Sequence, residues 1–127
     1  ILIEHCTVAN NEGGGILMNC SNGSHALIFR DCVFENNKDF GLLVRNSATN
    51  SIIIENNSFV GNAAYNNCGF LFAYGNNCNQ IVFERNSFRN FFSSDEEFES
   101  AVNIKHQNNK SILNISFDSD TLESNTG

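Results

Sequence analysis

The chain has 127 residues, 41% of them hydrophobic, which suits one domain with a packed core and excludes a wholly disordered chain. Its formal charge of −7, with only seven basic residues, argues against a nucleic-acid partner or an anionic membrane surface. No apolar run reaches the length of a membrane span, and no basic segment followed by an apolar core marks a signal peptide.

The chain starts without an initiating methionine, inside the strand-like ILIEH, which leads us to expect a segment of something longer. The opening stretch recurs in order as ILIEHCTVANN (1–11), LIFRDCVFENN (27–37), IIIENNSFVGN (52–62), IVFERNSFRNF (81–91) and ISFDSDTLESN (115–125). The shared pattern is aliphatic-x-[Ile/Phe]-charged-x-[Cys/Asn/Asp]-x-[Phe/Val/Leu]-x-x-Asn, with Phe91 departing at the last place. Starts at 1, 27, 52, 81 and 115 give steps of 26, 25, 29 and 34 residues. A second apolar patch follows each of the first four copies: GILM (15–18), GLLV (41–44), GFLF (69–72) and SAVNI (100–104).

A copy this short cannot bury its own apolar residues, so copies must stack. Short β-type runs broken by Asn and Gly favour strands over helices. Steps of this size with two or three strands each predict an all-β parallel β-helix, with four complete coils and the start of a fifth. At the strand spacing of about 4.8 Å that is a single rod segment of about 20–25 Å. Its open coil ends predict aggregation unless something caps them.

Alternation along a strand puts Ile1 and Ile3 inside and Leu2 and Glu4 outside. One predicted core column is Ile3, Phe29, Ile54, Phe83 and Phe117; a second is Val8, Phe34, Phe59, Phe88 and Leu122. The turn column is Cys6, Cys32, Asn57, Asn86 and Asp120. Asn suits it because it tolerates left-handed backbone and can hydrogen-bond to the same amide one coil away. Cys6 and Cys32 are then stacked neighbours, expected as free thiols rather than a disulfide. The other cysteines are Cys20, Cys68 and Cys78; no pair has CxxC spacing, so no zinc site is indicated. The loop after the Phe-x-x-Asn position lengthens along the chain and ends in the acidic SSDEEFES (93–100). Insertions on a solenoid often mark its binding face.

The segments FENN (34–37), FVGN (59–62) and GGI (14–16) resemble the FxxN and GGA[ILV] repeats of polymorphic outer-membrane-protein-type adhesins. More broadly the chain is similar to pectin-lyase-like right-handed parallel β-helices, a fold of pectinases, phage tailspikes and surface adhesins. The resemblance covers nearly the whole chain and implies the fold much more strongly than any activity.

A pectinase-type activity needs clustered acids with an Arg or Lys on an outer sheet face. The charged column is Glu4, Arg30, Glu55, Glu84 and Asp118; beside it run His5, Asp31, Asn56, Arg85 and Ser119, pointing away or into the turn. Glu55 and Glu84 are expected one coil apart, about 5 Å, the separation of a retaining glycosidase pair. With Arg85 they are the catalytic candidates, or a shared cation site; the plainer expectation is a solvated charge ladder in which Arg30 relieves repulsion between Glu4 and Glu55. The paired-aspartate and Gly-His-Gly signatures of polygalacturonases are missing, and VNIKH (102–106) is a poor match to an Arg-Ile-Lys motif. Asp95, Glu96, Glu97 and Glu99 are candidate calcium ligands, without the spacing of a dedicated loop. Asn19, Asn22, Asn56, Asn109 and Asn114 head Asn-x-Ser sequons, a slight pointer to an extracellular or cell-surface location.

Two outward aliphatic columns, Leu2-Ile28-Ile53-Val82 and Leu17-Leu43-Leu71, predict an interaction strip covered by another protein or by neighbouring parts of the same chain. The sequence therefore supports a non-catalytic structural or adhesive β-helix module, without a cofactor of its own. The alternative is a polysaccharide lyase or glycoside hydrolase, or a glycan-binding module, with acids on an outer sheet face.

Overall fold

A computed structural model of the chain describes residues 1–19, 26–45, 51–62, 68–73, 78–90, 102–105 and 114–123. The first step contributes β1 (Leu2–Glu4), β2 (Thr7–Ala9) and β3 (Ile16–Asn19). The second contributes β4 (Ala26–Arg30), β5 (Val33–Glu35) and β6 (Phe40–Arg45). The third contributes β7 (Ser51–Glu55), β8 (Ser58–Val60) and β9 (Cys68–Ala73). The fourth contributes β10 (Gln80–Glu84), β11 (Ser87–Arg89) and β12 (Val102–Lys105), and β13 (Asn114–Asp118) and β14 (Thr121–Glu123) follow.

Among the described residues these strands form three sheets. Their orders are β1-β4-β7-β10-β13, β2-β5-β8-β11-β14 and β3-β6-β9-β12. Every pairing is parallel, and each step of the sequence pattern lands on its equivalent in the next step, as in Leu27↔Ile52 and Ile52↔Ile81. The chain is a parallel β-helix with three strands per coil.

Register produces the core. Ile3, Phe29, Ile54, Phe83 and Phe117 stand opposite one another in the first sheet. Val8, Phe34, Phe59, Phe88 and Leu122 do so in the second. The Phe34 and Phe59 rings stack at 4.8 Å, Phe59 and Phe88 at 4.8 Å, and Phe83 and Phe117 at 4.6 Å. Phe83 meets Phe88 edge-on at 6.4 Å, which ties the two columns into one core. Phe29, Phe34, Ile54, Phe59, Phe83 and Phe88 are fully buried. The alternation places Ile1 inside, but it is 59% exposed, as are Phe117 at 53% and Leu122 at 60%. In these outermost strands only one side carries a stacking neighbour among the described residues.

The corner between the first two sheets is two residues long in every coil. Left-handed backbone falls on the first of the two, not on the turn column itself. His5, Asp31, Asn56, Arg85 and Ser119 have φ of 54°, 53°, 54°, 55° and 57°. That bend redirects the chain from one sheet to the next while its N–H stays in the ladder, as in Asn56 N to Glu84 O at 2.8 Å. The following residue, Cys6, Cys32, Asn57, Asn86 or Asp120, turns inward.

At this inward position the amides form a ladder. Asn57 Oδ1 accepts the Cys32 N–H at 2.9 Å, and Asn57 Nδ2 donates to Phe29 O at 2.9 Å and Asn86 Oδ1 at 3.1 Å. Asn86 Oδ1 accepts the Asn57 N–H at 2.9 Å, and its Nδ2 donates to Ile54 O at 2.7 Å and Asp120 Oδ1 at 2.8 Å. Each amide thus satisfies a corner N–H that would otherwise be buried without a partner and adds a second donor to a carbonyl near the strand end.

A second ladder follows the second sheet. Asn11 Nδ2 donates to Asn37 Oδ1 at 2.7 Å, and Asn37 Nδ2 donates to Asn62 Oδ1 at 2.8 Å and Val8 O at 3.0 Å. Here too the left-handed residue comes just before: Asn10, Asn36 and Gly61, at φ of 58°, 50° and 60°. The Phe-x-x-Asn spacing is the sequence trace of this ladder.

Candidate functional site

The charged column of the first sheet is the only cluster of predicted catalytic groups that the described residues bring together. Glu55 and Glu84 face each other on β7 and β10. Arg30 Nε donates to Glu55 Oε2 at 2.9 Å from the coil on one side. Arg85 approaches from the other, with Nη2 donating to Glu55 Oε1 at 2.6 Å and Nη1 donating to Glu84 Oε1. The result is a continuous string Arg30–Glu55–Arg85–Glu84 along the rod.

Arg85 corrects the expectation that its column points away from the acids. It occupies the left-handed corner, and its long side chain folds back over the sheet edge to span both glutamates. Asp31 and Asn56, of the same corner column, bond through Asn56 Nδ2 to Asp31 Oδ1, with His5 Nδ1 3.9 Å from Asp31 Oδ2. The first three members of the column, His5, Asp31 and Asn56, therefore line up as a polar string beside the charged one, which Arg85 joins. Chemically, each oxygen of Glu55 accepts a hydrogen bond from a guanidinium group, and those two cations stand where a metal ion would have to approach.

Of the aliphatic columns, Leu2 is 51% exposed, and Ile28, Ile53 and Val82 stand in register with it, half-buried, on the outer face of the first sheet. The second column is corrected at Leu43, which is only 3% exposed although its partner Leu17 is 51% exposed. Gly41, Leu42, Leu43 and Val44 are all buried, so β6 is covered on both faces by this chain itself. Leu43 does not belong to an exposed strip. The backbone of Leu71 pairs with Leu43, but its side chain lies outside the described residues.

Asp95, Glu96, Glu97 and Glu99 lie outside the described residues, as do Asn22 and Asn109. Among the described residues no group of three or more His, Cys, Asp and Glu is placed to hold a metal ion. No helix among them is long and apolar enough to cross a membrane. Asn19 and Asn114 are exposed on β3 and β13, and Asn56 is exposed at the corner with its amide on Asp31. Cys6 and Cys32 are both free thiols, Cys6 exposed and Cys32 buried. Burial pushes the Cys32 thiol up, against an opposing backbone hydrogen bond from Cys6.

The family model described as right handed beta helix region matches residues 1–88. The chain belongs to this family. No curated protein and no solved structure matches it. The family match gives the hand of the coil, and it spans the coils that carry the Arg30–Glu55–Arg85–Glu84 string. In this right-handed β-helix Arg30, Glu55 and Glu84 of the string directly follow first-sheet core positions, and Arg85 joins them from the corner.

Proposed function

We propose that this segment is a non-catalytic structural or adhesive module of a secreted or surface-exposed, pectin-lyase-like β-helix protein, akin to adhesin repeats. The observation that supports this reading is the internal neutralisation of its best-placed acids: Glu55 is held by Arg30 and Arg85, and Glu84 by Arg85. A glycan-cleaving site needs one carboxylic acid free to give up a proton and another free to attack or to activate water. Here Glu55 is committed to the coils on both sides, and one oxygen of Glu84 to Arg85 of its own coil.

The contact surface in this reading is the outer face of the first sheet, where Leu2, Ile28, Ile53 and Val82 form a continuous aliphatic line. Changing both Ile28→Lys and Ile53→Lys is expected to alter assembly state and solubility, read by sedimentation velocity with circular dichroism to check folding. An unchanged sedimentation profile in a folded double variant rejects that surface.

A second reading, a carbohydrate-active or glycan-binding β-helix, draws on the in-register pairing of Glu84 with Glu55 and on Arg85 reaching both. Incubation of the chain with polyuronides and neutral glycans, with and without calcium, separates the two. Product formation that disappears in the Glu55→Gln/Glu84→Gln double variant establishes the enzyme reading, and an inert wild type removes it.

A further inference from the structure

The corner column changes chemistry along the rod: its first two rungs are thiols, and the next two are amides. Glu4 lies opposite Arg30 and Thr7 opposite Val33, which sets Cys6 opposite Cys32 in adjacent coils. The backbones are joined there by Val33 N donating to Cys6 O at 2.8 Å. The two thiols hold the same local pose, each Sγ donating to the carbonyl two residues back, Glu4 O and Arg30 O, at 3.2 Å in both cases. Cys32 Sγ also lies 3.7 Å from Ile3 O in the neighbouring coil.

We propose that Cys6 and Cys32 form an oxidisable dithiol that closes into a disulfide joining the first coil to the second. Ladder neighbours in a sheet stand about 4.8 Å apart. That lies within the Cα separation of about 4.4–6.8 Å that a disulfide spans. Closure requires each sulfur to rotate away from a weak S–H···O contact. Between Asn57 and Asn86 the side chains already tie adjacent coils through two hydrogen bonds to a single oxygen, Asn86 Oδ1. The thiol rungs have no amide to do this, and a sulfur–sulfur bond supplies the missing tie.

The oxidant is a small disulfide of the oxidised-glutathione class. The exposed Cys6 reacts first: its thiolate attacks one sulfur of the oxidant, forming a mixed disulfide and releasing one thiolate, which takes up a proton. Cys32 then gives its proton to solvent and attacks the Cys6 sulfur, expelling the second small thiol. Two protein thiols are oxidised and one small disulfide is reduced to two thiols. The order follows from access, since Cys32 is 1% exposed and its thiol is held protonated by burial.

The test is to incubate the 127-residue chain with oxidised glutathione, block remaining thiols, digest without reductant and map the linked peptides by mass spectrometry. The expected product joins the peptides of Cys6 and Cys32. Oxidation is also expected to raise the unfolding midpoint by several degrees, a rise that reductant reverses and that the Cys6→Ser variant lacks. The proposal is overturned by a lasting glutathione adduct on Cys6 with Cys32 still alkylatable after denaturation. It is equally overturned by a link from either residue to Cys20, Cys68 or Cys78, or by an undiminished rise in Cys6→Ser.

Discussion

The amide rungs and the thiol rungs of one corner occupy the same backbone and differ in what they bond. Asn57 and Asn86 each accept an N–H from the coil before, donate to a strand-end carbonyl, and donate onward to the next rung. Cys32 offers only a weak S–H donor to Arg30 O and Ile3 O. The corner is two residues long in both cases and its left-handed bend is the same, so the bend does not depend on the amide. What the amide adds is an acceptor for the inward N–H that the bend removes from the sheets, and a second donor to a ladder carbonyl.

The largest effect that separates the two kinds of rung is expected from Asn57→Ala. It leaves the buried Cys32 N–H without its acceptor, at about 1–3 kcal/mol, and removes one donor each from the Phe29 carbonyl and from Asn86 Oδ1, which keeps the backbone N–H of residue 57. A loss of about 3 kcal/mol or more in urea unfolding is the expected outcome. Asn57→Cys converts an amide rung into a thiol rung and retains a buried side chain of similar size. Its loss is expected to be smaller, about 2 kcal/mol. Cys32→Ala, on a rung that makes only sulfur contacts, is expected to cost about 1 kcal/mol, mainly from lost packing.

Asp120 sharpens the comparison from the other end. Its Oδ1 accepts both Asn86 N and Asn86 Nδ2 at 2.8 Å, yet its Oδ2 is buried with no partner among the described residues. The equivalent atom in Asn57 and Asn86 is an amide nitrogen donating to Phe29 O and Ile54 O, and the matching carbonyl here belongs to Phe83. Asp120→Asn is therefore expected to raise stability by about 1 kcal/mol at neutral pH, measured in the same urea series.

The smallest effect is alkaline. The folded state keeps the Cys32 proton to higher pH than the unfolded chain, because burial pushes the thiol up. Above the ordinary thiol range of about 8.5 the unfolded state binds fewer protons, so stability falls as pH rises. Cys32→Ala is expected to flatten that alkaline decline in the unfolding midpoint; an unchanged slope in the variant contradicts the assignment.

Much of this fold was legible because stacking forces equivalent residues into columns. The Ile3–Phe117 and Val8–Leu122 columns follow from alternation and spacing alone, and so does the inward corner position. The left-handed bend falls one residue before the Asn-rich position that suggests it. His5, Asp31, Asn56, Arg85 and Ser119 share no side-chain chemistry, so the backbone imposes the bend and leaves no common residue type to read. Alternation points Leu43 outward, yet it is buried, because alternation describes only the strand itself. Its cover comes from elsewhere in the chain, which the GLLV pattern cannot report. Of the candidate site, the pairing of Glu55 with Glu84 was readable from register. The grip of Arg85 on both was not, since it depends on a long side chain turning back from the bend.

These differences converge on one claim: buried amides hold the coils together, and the surface charge string contributes little. Surface ion pairs contribute about 0–1 kcal/mol, whereas a buried amide guards several backbone groups at once. The direct test is the difference in unfolding free energy between Asn57→Ala and Glu55→Gln, adjacent positions but one, measured in urea under identical salt. A loss at Asn57 of about 3 kcal/mol with a loss at Glu55 below about 1 kcal/mol is the predicted result. Equal losses, or a larger one at Glu55, would contradict it.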